Sequence, residues 1–400
     1  MRSRIEVFYF FYLGAVGVSM PFFPTYLRGL GLSGVDIAVM FAVLPILNLG
    51  VPLAWGWLSD RTRRPRDVFR LATLGAAAAY VPFLFARQKA ALLATMVAYG
   101  VFMVPIIGLA DALAAERVRQ GADYGRIRLW GSVGFVVVSL CVGAALTARG
   151  ERPGDPLVVM AVSASLAAAA LSALLLPPPD AAAPAERAVR PRWRDVRVLF
   201  EDRKLMLILA AAGLHWGCTA PYNTLFGIYL RDQGLPSSTL AIAFSIGVAP
   251  EAAALFYFRA LRQRTSLETL LAVAFVTSAV RWLLVATTRS PAGLAALQSL
   301  HALTFGLFWA AGIAFVSQRV PPALRATGQT LFTTACFGFG NLLGYLASGI
   351  FYDARGDAAP TFLAASAAEL VPLTLVLLSR RPAAPGSSFG PPEPGGPAAG

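Results

Sequence analysis

Long apolar runs recur twelve times along this chain, and no other feature of the sequence constrains the fold as tightly. They lie near residues 5–27, 34–58, 68–86, 90–113, 127–149, 156–176, 205–230, 236–258, 266–287, 292–318, 324–352 and 358–379. A helix crosses a bilayer with about 17–25 consecutive, mostly apolar residues. The chain is 57% hydrophobic and only 14% charged, where soluble domains carry about a quarter charged residues. The expected fold is therefore all-α and membrane-embedded, with twelve transmembrane helices. Met1-Arg-Ser-Arg and the run after it read as the first of these helices and not as a cleaved leader, because the run is too long and no small-residue cleavage site follows. Cys141, Cys218 and Cys336 all fall within spans, so neither a disulfide framework nor a CxxC zinc site is expected, and no cofactor or metal is implied.

The net charge of +13 does not point to nucleic acid. The bases are parcelled between apolar spans and form no continuous basic face interleaved with aromatics. They fix topology instead. Taken by alternate segments, one side carries 24 Lys and Arg and the other 8, with Arg70 and Arg281 inside spans. The positive-inside rule makes the richer side cytoplasmic, with both termini on it.

Between Pro177 and Lys204 the hydrophobicity stops, and "PPPDAAAPAERAVRPRWRD" takes over. This divides the chain into an N-terminal six-helix half (1–176), a cytoplasmic linker (177–204), a C-terminal six-helix half (205–380) and a tail (381–400) with the composition of disorder. The halves repeat at an offset of 203 residues: "YLRGLGL" from Tyr26 matches "YLRDQGL" from Tyr229 at five of seven positions, and Pro45 and Pro250 fall in each second span. Carriers built from repeated units hold substrate between the halves, near the bilayer midplane. The same offset maps Tyr12, Ser19, Phe23 and Tyr26 onto His215, Tyr222, Phe226 and Tyr229. Steps of three and four keep each set on one helical face. Phe23, Tyr26, Phe226 and Tyr229, near span ends, serve either the cavity or an interfacial aromatic belt; Tyr12, His215 and Tyr222 are the cavity candidates.

"GWLSDRTRR", Gly56 to Arg64, lies between spans 2 and 3 and resembles the loop signature of the major facilitator superfamily, with Arg63 where the family usually has Gly and Pro65 where it has a base. The resemblance implies a gating role for Asp60, Arg61 and Arg64. Physically, an acid at a helix end can pair with helix termini and nearby arginines as a latch, or stand as a solvated cap in a basic loop. "PFFPTYLRGLGLS", "YGRIRLWGSVGF", "LQSLHALTFGLF" and "LRATGQTL" look like the bacterial phenylpropionate permease-like branch, related to lactose permease and nucleoside:proton symporters. The likeness spans residues 5–380 and implies the major facilitator fold in the bacterial inner membrane, while relatives differ in cargo.

An ionisable side chain at the centre of a bilayer costs about 2.5–3.5 kcal/mol on insertion scales, so each one calls for a partner or a function. The candidates are Asp111, Arg128, Glu251, Arg281, His301 and Glu369. By position, Glu251, Arg281 and His301 resemble the acid, arginine and histidine that serve coupling and substrate binding in lactose permease; the bland alternative for His301 is an interhelical hydrogen bond, and Arg281 could snorkel beside Trp282. The essential acid one turn after that histidine is here Thr304, so the proton site moves to Glu251 or Asp111, or coupling is absent. Asp111 and Arg128 resemble that permease's sugar-holding acid and arginine, with Phe135 in place of the stacking ring; alternatively they form a structural salt bridge at the rim. Glu369 has no evident partner. Arg128, Ser132, Phe135 and Ser139 share one helical face, as do Gln298, His301, Phe305 and Phe308.

These positions imply an aromatic cavity with one or two cations, suited to a small organic anion more than to an oligosaccharide. The expected function is proton-coupled uptake by alternating access, the protein working as a monomer, with proton-driven efflux of a hydrophobic compound as the alternative. A membrane enzyme or a non-transporting sensor is disfavoured, since no nucleotide loop, catalytic spacing or signalling domain is readable. The topology has a direct test. Single cysteines at Ala183 and Gly234, in a background free of native cysteines, are expected to react with an impermeant thiol reagent from opposite faces of the membrane; reaction of both from outside intact cells would refute it.

Overall fold

The computed structural model describes residues 4–119, 124–176 and 193–380. Most of the expected linker and the whole expected tail thus lie outside the described residues. Among the described residues, eleven helices are long and apolar enough to cross a bilayer: α1 (Arg4–Gly29), α2 (Gly34–Thr62), α3 (Pro65–Leu84), α4 (Lys89–Ala114), α5 (Tyr124–Ala148), α6 (Leu157–Leu174), α7 (Arg203–Thr224), α9 (Leu267–Thr287), α10 (Pro291–Arg319), α11 (Thr327–Arg355) and α12 (Ala359–Ser379). The remaining expected span is α8 (Ser237–Arg264), a continuous helix whose apolar stretch, Ser237–Val248, is shorter. No strand occurs among the described residues. This follows from the solvent: without water to take up N–H and C=O groups, a spanning segment must satisfy its own backbone, which a helix does.

Several helices are broken where a side chain or proline intervenes. α2 turns at Leu49 and Gly50 before Pro52, and α7 is interrupted at Thr219 before Pro221. α10 tightens over Leu297–Leu300 and then widens into a π-helical turn over Ala302–Leu307. α11 has a similar π-turn over Thr334–Gly340, and α12 breaks at Glu369. Such breaks are tolerated within a membrane where protein buries them or water-lined space receives them.

The two halves are clamped together at the ends opposite the base-rich loops. Both oxygens of the Asp353 carboxylate, from the end of α11, accept from the first amides of α2, Gly34 N–H at 2.6 Å and Val35 N–H at 2.8 Å. The counterpart pairs Ser237, 203 residues after Gly34, with Glu151, 202 residues before Asp353. Glu151, just past α5, accepts from Ser237 N–H at 2.7 Å and from Ser237 Oγ–H at 2.6 Å at the start of α8, while Thr147 Oγ1 accepts from Ser238 N–H at 3.1 Å. Each half therefore sends an acid from its fifth helix to cap its partner's second helix, where unsatisfied amides and the positive end of the helix dipole favour a carboxylate.

The backbone is shaped for this contact. A Cβ at Gly34 would stand 2.8 Å from Asp353 Oδ1 and 2.6 Å from the Tyr352 ring, so the close approach requires glycine there. Glu151 is held at φ +56, left-handed for a non-glycine residue. Between the clamps, Gly227 packs against Pro21, where an added Cβ would stand 2.9 Å from the carbonyl oxygen.

The clamps generate a prediction. Charge-assisted hydrogen bonds contribute about 1.5–3 kcal/mol each, and about 1.4 kcal/mol is tenfold in an equilibrium. Replacing Asp353 and Glu151 together by alanine is expected to raise at least about tenfold the alkylation of a single cysteine at Phe244 from the clamped face, measured in oriented vesicles. An unchanged rate would mean that the two acids only cap helices.

Candidate functional site

A cavity of about 340 Å³ lies between the halves, lined by α1, α5, α7, α8, α9 and α10. Most of its wall is aromatic or aliphatic: Phe135, Trp216, Tyr222, Phe244, Trp282 and Phe305, with Leu13, Met20 and Val248. Its ionisable groups are Glu251, Arg281, His301 and the Tyr222 hydroxyl. A larger groove of about 680 Å³ between α7, α11 and α12 carries no charged side chain, so the chemistry lies in the smaller one.

Arg281 is the centre of the charged cluster. It is only 1% exposed, and all its hydrogen-bond partners are neutral. Its Nη2 donates to Gln298 Oε1 at 2.6 Å and its Nη1 to Thr304 Oγ1 at 2.9 Å, with His301 Nδ1 at 3.4 Å. Gln298 is oriented for this by its own amide, which donates to Leu294 O at 2.7 Å. The guanidinium lies over the rings of Tyr222, at 4.8 Å, and Trp282, at 4.7 Å. Its Nε has no partner, and no carboxylate among the described residues pairs with it. It does not snorkel: the aromatic rings and the α10 contacts hold the head group inside.

His301 stacks flat on Phe305, with ring centroids 5.0 Å apart and planes within 3°, and it rests against Gly247 of α8. Because Arg281 can only donate, His301 Nδ1 is the acceptor in their contact. Glu251 packs against Gly306, where an added Cβ would come within 3.1 Å of its Cγ. Among the described residues, no hydrogen bond or ion pair joins it to Arg281 or His301.

The remaining candidates lie around this cavity and not on its wall. Asp111 accepts from Tyr9 Oη at 2.5 Å and lies 3.8 Å from Arg128, which in turn covers the Tyr9 ring at 5.4 Å. This pair is half-exposed at 37% for each side chain, as befits a rim. Tyr12 is buried and stacked on Phe8 at 5.5 Å, and Gln298 is buried behind Arg281. His215 does not reach the cavity: it is fully buried and faces Glu369, which the sequence had left unpartnered. Asp60, Arg61 and Arg64 are exposed at the end of α2, Arg61 lying over Trp57 at 5.2 Å; no ion pair of Asp60 appears among the described residues. Trp216, Asn223 and Phe244 were missed. The offset places Phe41 opposite Phe244 and Met20 opposite Asn223, so the repeat gave no polar or aromatic signal at Asn223.

Residues 3–364 match the MFS_1 like family. Over 383 residues the chain is 27% identical to a maltose permease of Geobacillus stearothermophilus, covering 95% of each sequence. Over 356 residues it is 29% identical to a probable 3-phenylpropionic acid transporter of Escherichia coli (strain K12), covering 86% of this chain and 92% of that one. The crystal structure of the nucleoside transporter NupG has the same fold, with a TM-score of 0.83 at 18% identity, over 95% of this chain and 99% of that one. The family match along nearly the whole length of this helical, membrane-spanning chain makes it a secondary transporter that belongs to the MFS_1 like family of the major facilitator superfamily.

Proposed function

We propose that the protein carries a small organic anion, with an aromatic carboxylate favoured, inward across the bacterial inner membrane together with protons. The observation that carries this reading is Arg281. A buried guanidinium with neutral partners and a free Nε leaves a positive charge uncompensated in a low-dielectric wall, which is costly unless a ligand brings the opposite charge. A carboxylate in the cavity would supply it and accept from the guanidinium, the strongest class of hydrogen bond available there. The surrounding rings of Tyr222, Phe244 and Phe305 would take an apolar body. One relative's name, a probable 3-phenylpropionic acid transporter, fits this chemistry; a maltose permease and nucleoside transporters among the others do not. Apolar walls would also accept a neutral hydrophobic compound, the efflux reading, but that cargo leaves Arg281 unmatched.

In this reading Glu251 is the proton carrier. It faces the cavity without a hydrogen-bond partner among the described residues, so its charge is free to be set by proton and substrate. Asp111 and Arg128 guard the rim, Phe135 faces the substrate from the first half, and Asp60, Arg61 and Arg64 act on the cytoplasmic side, where both termini lie.

Two measurements test this. Arg281→Gln is expected to weaken binding of 3-phenylpropionate to the purified protein by about ten- to a hundredfold, the loss of one charged hydrogen-bonding partner at about 1.5–3 kcal/mol; equal affinity would remove the anion from the reading. Glu251→Gln keeps the shape and neutrality of the protonated acid but does not titrate. It is expected to exchange substrate between equal concentrations across proteoliposomes, yet to lose accumulation driven by a proton gradient. Full accumulation by this variant would pass the role to another group.

A further inference from the structure

His215 and Glu369 form a second ionisable site, sealed inside the C-terminal half. Both side chains are 0% exposed. The imidazole lies between Phe275, at 4.8 Å, and Phe308, at 4.5 Å. Its Nε2 is 3.0 Å from the main-chain oxygen of Thr304, and its Nδ1 is 2.9 and 3.0 Å from the two oxygens of Glu369.

Counting protons fixes the state of this pair. A carbonyl oxygen only accepts, so Nε2 carries a hydrogen. Nδ1 and the carboxylate then share one proton: either imidazolium meets carboxylate, or neutral imidazole meets carboxylic acid. Both forms are neutral overall and hold the same number of protons. Removing the shared proton would set a carboxylate against a nitrogen lone pair, with no other donor to Glu369 among the described residues, at the cost of an uncompensated buried charge.

The dyad is also joined to the cavity through one residue. Thr304 lines the cavity and lies in the π-turn of α10, where the widened ladder turns a main-chain oxygen toward α7. Its hydroxyl accepts from Arg281 and its main-chain oxygen from His215. The helices packed about the pair also carry Arg203, Lys204, Cys218 and Tyr222 on α7, Glu268 and Arg281 on α9, His301 and Arg319 on α10, and Cys336, Tyr345, Tyr352, Asp353 and Arg355 on α11; α12 contributes Glu369 alone.

We propose that His215 and Glu369 are a proton-binding dyad of the transport cycle, distinct from Glu251 and coupled through Thr304 to the anion site at Arg281. This rests on the reading of Arg281 as the anion's partner. The dyad is loaded in the clamped state. An anion on Arg281 neutralises the guanidinium that shares Thr304 with the dyad and so favours the loaded pair; departure of the anion restores that charge and favours unloading. Unloading breaks the hydrogen's bond to Nδ1 or to the carboxyl oxygen and passes the proton to water, taking the pair from neutral to a single negative charge.

The chain has only two histidines, which makes the test specific. Full-length protein labelled with ¹⁵N-histidine and carrying His301→Gln leaves His215 as the sole reporter in nitrogen NMR. The expected result is one protonation step of that ring between about pH 5 and about pH 9, abolished by Glu369→Gln. Reconstituted Glu369→Gln with His301 intact is expected to exchange 3-phenylpropionate but to move about one proton fewer per anion than wild type. A ring that never titrates in that range, or an unchanged proton count, overturns the proposal. If 3-phenylpropionate does not bind, the anion reading fails, and the titration still decides the dyad. If Glu369→Gln does not fold, the titration of the protein with Glu369 intact decides it.

Discussion

One buried guanidinium organises the second half of this molecule. The bilayer makes an ionised side chain expensive, and Arg281 is kept in its place by neutral hydrogen-bond acceptors on α10 and by two aromatic faces. Gln298 must be oriented, Thr304 must present its hydroxyl and His301 must offer a lone pair, so three positions of one helix are fixed by one side chain of its neighbour. A carboxylate at position 304 would have neutralised Arg281 within the protein and left the cavity little to attract an anion. Threonine there satisfies one N–H without cancelling the charge.

The same helix resolves the conflict between regular backbone and polar function. An ideal helix commits every interior carbonyl to its own ladder, which leaves none for another helix. The π-turn over Ala302–Leu307 relaxes that commitment, and Thr304 then serves Arg281 with its side chain and His215 with its main chain. α12 also breaks at Glu369, which meets His215 with its side chain. Irregular backbone lies at His301, Thr304 and Glu369, whereas α8 and α9, which carry Glu251 and Arg281, are continuous, as is α5, which brings Phe135 to the cavity.

The fold was legible because the bilayer leaves few options for long apolar runs, and the offset of 203 residues was legible because the repeat preserves the Tyr-Leu-Arg stretch at the end of each first span. The offset carried more than the matched letters. Gly34 and Ser237 differ in sequence, yet both begin the second helix of a half and both receive an acid from the other half. The cavity was legible in part. Helical faces named Phe135, Tyr222, His301 and Phe305, and the cost of charge within a span named Glu251 and Arg281; all six line one cavity. They misplaced His215, since a face shared along one helix does not say whether a ring points between halves or into its own bundle. The partner of Glu369 was not readable, because contact between α7 and α12 depends on packing across 154 residues of chain.

The distribution of polar chemistry also separates two tasks within one repeat. Across the clamped face, the charges are carboxylates placed on helix starts, contacts that form only when the halves meet and that water can replace when they part. Inside the second half, His215, Glu369, Thr304 and Arg281 are joined by contacts within that half alone, so they persist through any rigid-body rocking of one half against the other. The two systems touch in one place. That place is the cavity wall: Glu251 on α8 faces the cavity that both halves line while packing on the α10 turn that holds the internal network. A helix that starts under the Glu151 clamp and carries Glu251 further along is physically continuous from the gate to the charge, and its tilt changes both together.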